Sequence, residues 1–253
     1  MSTPTVTSEI PVSTAPPPVD LSSYDPVQAE FMLETIVVVD NDDNPIGYDT
    51  KVNCHLVENI DKGLLHRAFS VFLFNEKNEL LLQRRASEKI TFPDLWTNTC
   101  CSHMAYTKEE LDQSNNRVGA KRAAQRKLVQ ELGITPEALP LEDYRFLTRI
   151  HYMAPSGGQW AEHEIDYILI AKRAGVVANP NPNEISETKY VSMDELKAIL
   201  DEDVKLREAG QPPVVTPWFR IICNEFLFGW WETMQNEGFE ALAGMTNDII
   251  HRM

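Results

Sequence analysis

Three histidines and two glutamates in this sequence could together bind a metal ion. Glu162 and Glu164 are separated by one residue in a segment with the character of a strand, and since alternate side chains of a strand share a face, the two carboxylates point the same way. His55, His66 and His103 lie near the edges of predicted elements. Three imidazoles and two carboxylates suit a borderline divalent ion such as zinc or manganese. The spacing alone leaves a second interpretation open, in which the histidines are scattered over the surface and the acidic run is solvated.

Three further side chains carry chemistry that the sequence leaves ambiguous. Cys101 shares a strand face with His103 whereas Cys100 faces away, and its thiol is either reactive or a small buried hydrophobe. Trp218 could stack over a cationic intermediate, although aromatic residues at helical spacing usually belong to the core. Tyr152 could donate a proton or fill a strand edge. None of the three is decisive by itself.

Basic residues are concentrated near two predicted element ends of an otherwise acidic chain. They are Arg84, Arg85 and Lys89 after a strand, and Lys121, Arg122, Arg126 and Lys127 on a long helix. Such groups could hold a diphosphate through charge-assisted hydrogen bonds. For the helix alone, a salt-bridged surface with Glu131 four residues after Lys127 is the favoured alternative. Lys51 is open to the same two interpretations.

The composition limits the kind of protein that carries these residues. A chain of 253 residues is at the upper end of one ordinary domain, so we expect a single core with appended segments. The 23 lysines and arginines against 38 aspartates and glutamates give a net charge of −15, which opposes binding to a nucleic-acid backbone. The apolar runs are well short of the roughly 20 residues of a membrane-spanning helix. We therefore expect a soluble protein without nucleic-acid or membrane partners.

Cysteine usage and the two chain ends bear on the cellular compartment. Four cysteines are too few for a dense disulfide framework, and the first residues do not combine the basic and apolar features of a secretion signal. A reducing compartment is the default, and we predict a cytoplasmic location. The final residues His251, Arg252 and Met253 share a basic middle residue and an apolar last residue with Ser-Lys-Leu peroxisomal signals, but they lack the small first residue and are a weak signal.

The elements that must position the candidate residues are strands and helices without regular alternation. Prolines among serines and threonines predict a disordered tail over 1–25, followed by one domain over 26–253. Apolar and β-branched runs predict strands at 35–39, 67–74, 79–83, 96–100, 146–152 and 165–171, the second and third forming a hairpin. Helix formers, caps and prolines predict helices at 116–132, 192–200 and 217–235. This order predicts an α+β or mixed α/β sandwich.

Five short segments are far more specific together than any of them alone. They are KVNCH at 51–55, HRAFS at 66–70, WTNTCCSH at 96–103, EHE at 162–164 and TPWF at 216–219. Their combined order resembles the type I isopentenyl-diphosphate Δ-isomerases of eukaryotes over about residues 30–253. The resemblance implies an α/β fold, a Nudix-like α/β/α sandwich with a mixed sheet, whose Nudix-like core covers about residues 66–200 and is followed by additional C-terminal helices.

The resemblance also implies a role for each candidate residue. It implies that one zinc or manganese ion is bound by His55, His66, His103, Glu162 and Glu164. It implies that Glu131 and the backbone carbonyl of Cys101 hold a magnesium ion that also contacts the substrate. The implied diphosphate contacts are Lys51, Arg85, Lys89 and Lys127, the last standing where relatives have arginine. Cys101 and Glu164 are the implied proton-transfer groups on opposite faces of the substrate, and the order of the two transfers stays open. Tyr152 assists proton delivery, and Trp218 faces the cationic intermediate.

The long helix resembles a degenerate form of the motif that Nudix hydrolases use to bind magnesium. Arg126, Glu131 and Gly133 match that motif, but Lys127 and Gln130 replace two of its acids. The leading glutamate and glycine are absent at strict spacing as well. Carboxylates needed for diphosphate hydrolysis are therefore missing, which favours an isomerase.

The implied activity is the interconversion of isopentenyl and dimethylallyl diphosphate, which supplies isoprenoid and sterol biosynthesis. The partner is a small prenyl diphosphate, and the expected oligomeric state is a monomer or weak homodimer. Two other hypotheses remain: a Nudix hydrolase acting on a nucleoside or prenyl diphosphate, and a noncatalytic binding module stabilised by a metal ion.

Overall fold

The structure is a computed structural model that describes Val6 and residues 17–253. Within those residues the chain forms ten strands and seven α-helices. The strands are β1 (Thr35–Val39), β2 (Pro45–Thr50), β3 (His66–Phe74), β4 (Leu80–Arg85), β5 (Trp96–Thr97), β6 (Cys100–His103), β7 (Tyr144–Gly157), β8 (Trp160–Lys172), β9 (Ile185–Val191) and β10 (Ile250–Arg252). The helices are α1 (Pro26–Phe31), α2 (Lys51–His55), α3 (Val57–Ile60), α4 (Ser114–Leu132), α5 (Met193–Glu208), α6 (Pro217–Ile222) and α7 (Phe228–Glu237).

Strand β3 lies at the centre of a mixed sheet. It pairs in parallel with β8, from His66 opposite Glu164 to Phe74 opposite Lys172, and it pairs antiparallel with β6. The sheet continues from β8 to β7 and β10 on one side, and from β3 to β1 and β2 on the other. All nine residues of β3 are buried, as expected of a strand paired in parallel and covered on both faces. The β3–β8 pair brings His66 next to Glu164.

Apolar side chains cover both faces of the sheet. On one face α4 packs through residues such as Ala124 and Leu128, which share a core cluster with β3 and β8. On the other face α6 and α7 pack through residues such as Phe219 and Trp231. Burying these two faces removes most of the large apolar side chains from water, which drives the layers together. The predicted α/β/α sandwich with a mixed sheet and additional C-terminal helices is confirmed.

Helix α4 begins irregularly and ends on a glycine. Residues 115–117 have positive φ values of 47°, 58° and 61°, so the regular helix starts after them. A Cβ atom at Gly119 would lie 2.2 Å from the carbonyl oxygen of Glu110, so the helix can approach that loop only at a glycine. Gly133 ends the helix with a φ of 62°, the left-handed conformation of a helix C-terminus. The helix predicted over 116–132 is confirmed at its end and starts slightly later.

The predicted hairpin of strands 67–74 and 79–83 is wrong in its pairing. Strands β3 and β4 share only the pair of Phe74 and Leu80 at the turn. Strand β4 instead pairs antiparallel with β9, while β3 pairs with β8 and β6. A continuous apolar run shows that a strand is buried but does not show which strand lies beside it.

Side-chain hydrogen bonds split the strand predicted at 96–100. Asn98 and Thr99 separate β5, which pairs with β4, from β6, which pairs with β3. Their side chains donate to the backbone oxygens of Cys100 and Leu81. The strands predicted at 146–152 and 165–171 lie inside β7 and β8, which pair antiparallel over nearly their whole length.

The helices predicted at 192–200 and 217–235 differ from the structure in length and continuity. Ser192 caps α5 in a capping box with Glu195, as the sequence predicts, but the helix runs on to Glu208. The second segment is interrupted by a π-helical turn, Cys223–Leu227, between α6 and α7. The extension ends just before Gly210, whose φ of 68° is the left-handed conformation of a helix C-terminus, so a stop signal for it was available. No glycine or proline marks the π turn.

The predicted tail over 1–25 lies mostly outside the described residues. In its described part, Leu21 is buried in a small cluster with Met32 and Trp160. Asp25 accepts hydrogen bonds from the backbone N–H groups of Val27 and Gln28 and so caps α1. The packed chain therefore begins before the boundary predicted at residue 26.

Candidate active site

One cavity collects nearly all the side chains to which the family resemblance assigns a role. Twelve of the thirteen candidate residues line it: Lys51, His55, Arg85, Lys89, Cys101, His103, Lys127, Glu131, Tyr152, Glu162, Glu164 and Trp218. The thirteenth, His66, is 0% exposed and lies against the two glutamates. The individual roles implied for these residues stay predictions.

The three histidines converge on the two glutamates at one end of the cavity. The Nε2 atom of His55 lies 2.8 Å from Oε2 of Glu162. The Nε2 atoms of His66 and His103 lie 3.2 and 2.8 Å from Oε1 of Glu164. The three rings have centroids 4.8 to 4.9 Å apart. The alternative of scattered surface histidines does not describe this arrangement.

The donor set of this cluster could hold a divalent metal ion. One donor atom from each of the five residues lies within 4.8 Å of all the others. The Nδ1 atom of His55 lies 2.6 Å from the backbone oxygen of Lys51, the outer contact that commonly fixes a metal-binding histidine ring. Arg126 donates to the backbone oxygen of His103 at 3.2 Å. Three nitrogens and two carboxylates are a typical donor set for zinc or manganese.

The glutamates and histidines shift each other's protonation. Burial would lower the pKa of His66, but the hydrogen bonds that its ring donates to Glu162 and Glu164 outweigh burial and raise that pKa to about 9. Burial would raise the pKa of Glu162, but the charge of His55 and hydrogen bonds from the histidines hold it well below its usual range. In the absence of an ion, a proton on His66 therefore compensates the buried carboxylates.

A thiol that keeps its proton and a carboxylate that loses it border the same cavity. Burial raises the pKa of the Cys101 thiol to about 12. The pKa of Glu164 is lowered, because hydrogen bonds from His103 and His66 outweigh burial and the nearby charge of Glu162. The hydroxyl of Tyr152 donates to Oε2 of Glu164 at 2.6 Å, and burial raises its pKa well above the usual value. The carboxylate of Glu164 is thus ionised, while the thiol of Cys101 and the hydroxyl of Tyr152 keep their protons.

Four cationic side chains also line the cavity and are called here its cationic wall: Lys51, Arg85, Lys89 and Lys127. Lys51 pairs with Glu34 at 2.7 Å, and Lys89 pairs with the buried Glu184 at 2.5 Å. Burial first, and the charge of Lys127 second, lower the pKa of Lys51 to about 8. Of the basic groups considered for a diphosphate site, Lys51, Arg85, Lys89 and Lys127 line the cavity. Arg84, Arg122 and Arg126 do not line it and pair with acids instead.

Arg85 and Lys127 complete the cationic wall. Arg85 donates to the backbone oxygens of Phe92 and Thr91 at 3.0 and 2.8 Å, which holds its guanidinium at the cavity. Lys127 is 3% exposed and lies 3.9 Å from Glu131. The i,i+4 ion pair considered for Lys127 and Glu131 is thus present, but both residues are buried in the cavity lining instead of lying on an exposed helix surface.

Comparison with known proteins agrees with this geometry. Residues 64–214 match the family model described as NUDIX domain. The chain is 54% identical to the isopentenyl-diphosphate delta-isomerase of Gibberella zeae, over 90% of this chain and 86% of that protein. It is 52% identical to the Schizosaccharomyces pombe enzyme of the same name, over 90% and 95%, and 51% identical to that of Mesocricetus auratus, over 94% and 100%. The chain belongs to the isopentenyl-diphosphate isomerase family. The resemblance inferred from the five segments is confirmed.

The Nudix domain of this isomerase-family chain has an altered form of the helix with which Nudix hydrolases bind magnesium. At one acidic position of the hydrolase motif, Lys127 points its ammonium to Oε1 of Gln130 at 2.9 Å, and Gln130 itself replaces a second acid. Glu131 keeps its place, is buried, and accepts a hydrogen bond from the Cys100 thiol at 3.6 Å. The single retained carboxylate agrees with an isomerase more than with a hydrolase.

Several cavity residues of this family member could not be found from the sequence. Helix α1 contributes Gln28 and Phe31 to the lining, and Gln28 donates to the backbone oxygen of Asn183 at 3.0 Å. Glu184 binds Lys89, and both residues lie in irregular segments without a recognisable motif. Gln28 and Glu184 are brought to the cavity by the docking of α1 against a loop more than 150 residues away in sequence. No local sequence pattern indicates this docking.

A buried acid next to Glu164 was also missed. Asp166 accepts from the hydroxyl of Ser70 at 2.8 Å, and burial raises its pKa well above the usual range. The strand alternation that pairs Glu162 with Glu164 extends to Asp166, so this signal was available.

None of the helices in the described part of the chain has both the length and the apolar composition needed to cross a bilayer.

Proposed function

We propose that this protein interconverts isopentenyl diphosphate and dimethylallyl diphosphate, the reaction named in its relatives. The observation that carries the proposal is that Cys101 and Glu164 border one cavity in opposite protonation states. Moving an unactivated double bond by one carbon requires a proton donor at one carbon and a proton acceptor two bonds away. A protonated thiol and an ionised carboxylate supply both functions.

The intermediate of such a reaction is a tertiary carbocation, which must be stabilised and kept away from water. Trp218 is 3% exposed and lies against Tyr152, with ring centroids 6.4 Å apart. The face of an indole attracts a cation by roughly 2 kcal/mol or more once water is removed. The apolar residues of α6 and α7 behind Trp218 exclude water that would capture the cation as an alcohol.

The cationic wall is the proposed diphosphate site. Lys51, Arg85, Lys89 and Lys127 line the cavity together with Glu131, which lies 3.9 Å from Lys127. We propose that Glu131 and the backbone carbonyl of Cys101 bind a magnesium ion together with the diphosphate. Bound magnesium would neutralise part of the diphosphate charge. Ammonium and guanidinium groups hold the remaining charge by charge-assisted hydrogen bonds.

The metal in the cluster of three histidines and two glutamates is proposed to be zinc or manganese. When bound, such an ion lowers the basicity of the carboxylates that it contacts. The protein's own contribution is to fix Glu164 between His66, His103 and Tyr152, which leaves no freedom of rotation to that carboxylate.

Incubation with isopentenyl diphosphate and magnesium in deuterated water tests the proposal. We expect dimethylallyl diphosphate that carries deuterium, because the added proton comes from a group exchanging with solvent. Release of inorganic phosphate without isomerised product would instead support the Nudix hydrolase. Metal-dependent folding without turnover of any diphosphate would support the noncatalytic module.

Replacing Lys89 is expected to weaken diphosphate binding more than turnover. Lys89→Ala removes one charge-assisted contact, so KM should rise about tenfold while kcat changes little. Lys77→Ala, at an exposed lysine on the loop between β3 and β4, is the matched control and should behave as wild type. Steady-state kinetics measure both constants, and an unchanged KM in Lys89→Ala would remove this residue from the site.

Diphosphate affinity is expected to fall as the pH rises through 8. Lys51, with a pKa of about 8, carries its charge below that pH and loses it above. Between pH 7 and pH 9, the affinity of the wild-type protein for inorganic pyrophosphate should therefore drop. This drop should be about tenfold larger than the drop measured for Lys51→Arg over the same range. Arginine stays charged over this range, so the variant also corrects for titration of pyrophosphate itself. Calorimetry with magnesium present measures both, and identical pH profiles would contradict the assignment.

The cytoplasmic location, the weak peroxisomal signal and the monomer or weak homodimer stay predictions. Microscopy of a fusion tagged at its N-terminus checks the location, and sedimentation analysis checks the oligomeric state.

A further inference from the structure

Asn98 is a fully buried polar residue that the proposed chemistry does not use directly. It is 0% exposed and lies between β5 and β6. Its Nδ2 donates to the backbone oxygens of Val71 and Cys100 at 3.1 and 2.8 Å. Its Oδ1 accepts from Nε1 of Trp218 at 3.2 Å and from the hydroxyl of Thr97 at 2.9 Å. Every hydrogen-bonding group of the amide has a partner.

These partners allow the amide only one orientation. Backbone oxygens can only accept hydrogen bonds, and the indole N–H can only donate. Turning the amide over would place two donors against each other at Trp218 and two acceptors against each other at Cys100. Asn98 therefore fixes the spacing between three elements: β3 at Val71, β6 at Cys100 and α6 at Trp218.

Asn98 connects Trp218, which lines the cavity, to the strand that carries Cys101. Cys100 directly precedes Cys101, and Trp218 has one N–H, which it donates to Asn98. The other contacts of the indole ring are made through its faces and edges, with Phe92 at 5.1 Å and Arg85 at 5.8 Å. Such contacts restrict the position of a ring less than a directional hydrogen bond does. The Asn98 amide is thus what orients the ring within its plane.

We propose that Asn98 is a positioning residue for the reaction: it sets the ring of Trp218 against the strand that carries Cys101. The proposal rests on the proposed isomerase function. Stabilisation of a cation by an aromatic face depends on geometry, and misplacement of a group by about 1 Å can cost roughly a hundredfold in rate. Asn98 would act on turnover through Trp218, without touching the substrate.

A double-mutant cycle separates this role from a general effect on folding. Trp218→Phe keeps an aromatic face but has no N–H to donate. We expect Asn98→Ala to lower kcat about tenfold in the wild-type background and only about twofold in the Trp218→Phe background. The inhibition constant for inorganic pyrophosphate should stay unchanged in all four proteins. An equal loss of kcat in both backgrounds would overturn the proposal.

A second measurement does not depend on activity. The protein has five tryptophans, and the indole N–H resonance of Trp218 is assigned by its absence from the spectrum of Trp218→Phe. In Asn98→Ala this resonance should shift and its N–H should exchange with solvent at least about tenfold faster, since its acceptor is gone. The other four indole resonances serve as internal controls and should stay in place.

The outcomes distinguish failure of the inference from failure of the proposed function. A wild-type protein without isomerase activity overturns the function, while the Trp218 resonance still decides whether Asn98 holds the ring. An unchanged Trp218 resonance in Asn98→Ala overturns the positioning role whatever the activity. Should Asn98→Ala not fold, Asn98→Ser leaves a hydroxyl for one backbone oxygen and is expected to give the same kcat loss and resonance shift.

Discussion

Cys101→Ala and Glu164→Gln should each abolish measurable isomerisation while leaving a folded protein. Each change removes one of the two proton-transfer groups, and general acid–base catalysis contributes typically 10²–10⁴-fold to a rate. Burial raises the pKa of Cys101 to about 12, so in wild type the thiol retains its proton at neutral pH. Alanine has no proton to give, and the glutamine amide at position 164 cannot act as a base. The measurement is the rate of dimethylallyl diphosphate formation.

Cys100→Ala is the matched control for the thiol. Its side chain is on the opposite face of β6 and lies 3.6 Å from Glu131 rather than in the cavity. At saturating magnesium this variant should retain much of the activity. Equal loss of activity in both cysteine variants would overturn the choice of Cys101.

Glu164→Gln needs a second check because Glu164 also belongs to the cluster with the histidines. Metal content measured by mass spectrometry shows whether the variant still holds its ion. Loss of turnover with metal retained identifies the missing base as the cause. Loss of both would mean that Glu164 contributes mainly to metal binding.

The architecture could be predicted from the sequence where a local pattern and the family resemblance agreed. Gly133, Ser192 and the strand at 35–39 carry signals read directly from residue type, and the structure has the corresponding features. Strand pairing could not be predicted this way. The parallel register of β3 with β8 joins residues almost a hundred positions apart, and the apolar run of β3 is equally compatible with a hairpin partner.

The candidate site could likewise be predicted where a local pattern indicates it, but not where it depends on tertiary contacts. The alternation of Glu162 and Glu164 gives their common face, but their contact with His66 depends on the β3–β8 pairing. Glu184 and Gln28 were missed because their contacts depend on tertiary docking of α1. Asn98 lies within the segment 96–103 and was predicted to be part of a strand. Its side chain instead hydrogen-bonds to the backbone oxygens of Val71 and Cys100, and such bonds compete with strand pairing.

Removing the metal ion should abolish activity and lower thermal stability together. An ion present at a thousand times its dissociation constant adds about 4 kcal/mol to the free energy of unfolding. For a chain of this size that corresponds to a Tm higher by roughly 8–16 °C. Treatment with a chelator should reverse this increase, and zinc or manganese, but not magnesium alone, should restore it. Calorimetry and metal analysis provide readouts that do not depend on turnover.

His163→Ala is the matched control for the metal site. His163 lies between Glu162 and Glu164 in sequence but faces the other side of the strand, where it contacts the backbone oxygen of Leu64 at 2.8 Å. This variant should keep its ion, whereas Glu162→Gln should bind it more weakly. A chelated protein with unchanged Tm and full activity would contradict a resident ion.

The pH dependence of metal binding follows from the raised pKa of His66. Its folded-state pKa of about 9 means that the ring is protonated at neutral pH when no ion is present. Since Nε2 must lose its proton before it can bind a metal, ion binding should release a proton and become tighter as the pH rises toward 9. Titrations at pH 6, 7 and 8 should show dissociation constants that fall steadily. Constants that do not vary with pH would show that His66 is already neutral in the ion-free protein, and the cluster would then hold its carboxylates by another arrangement of charge.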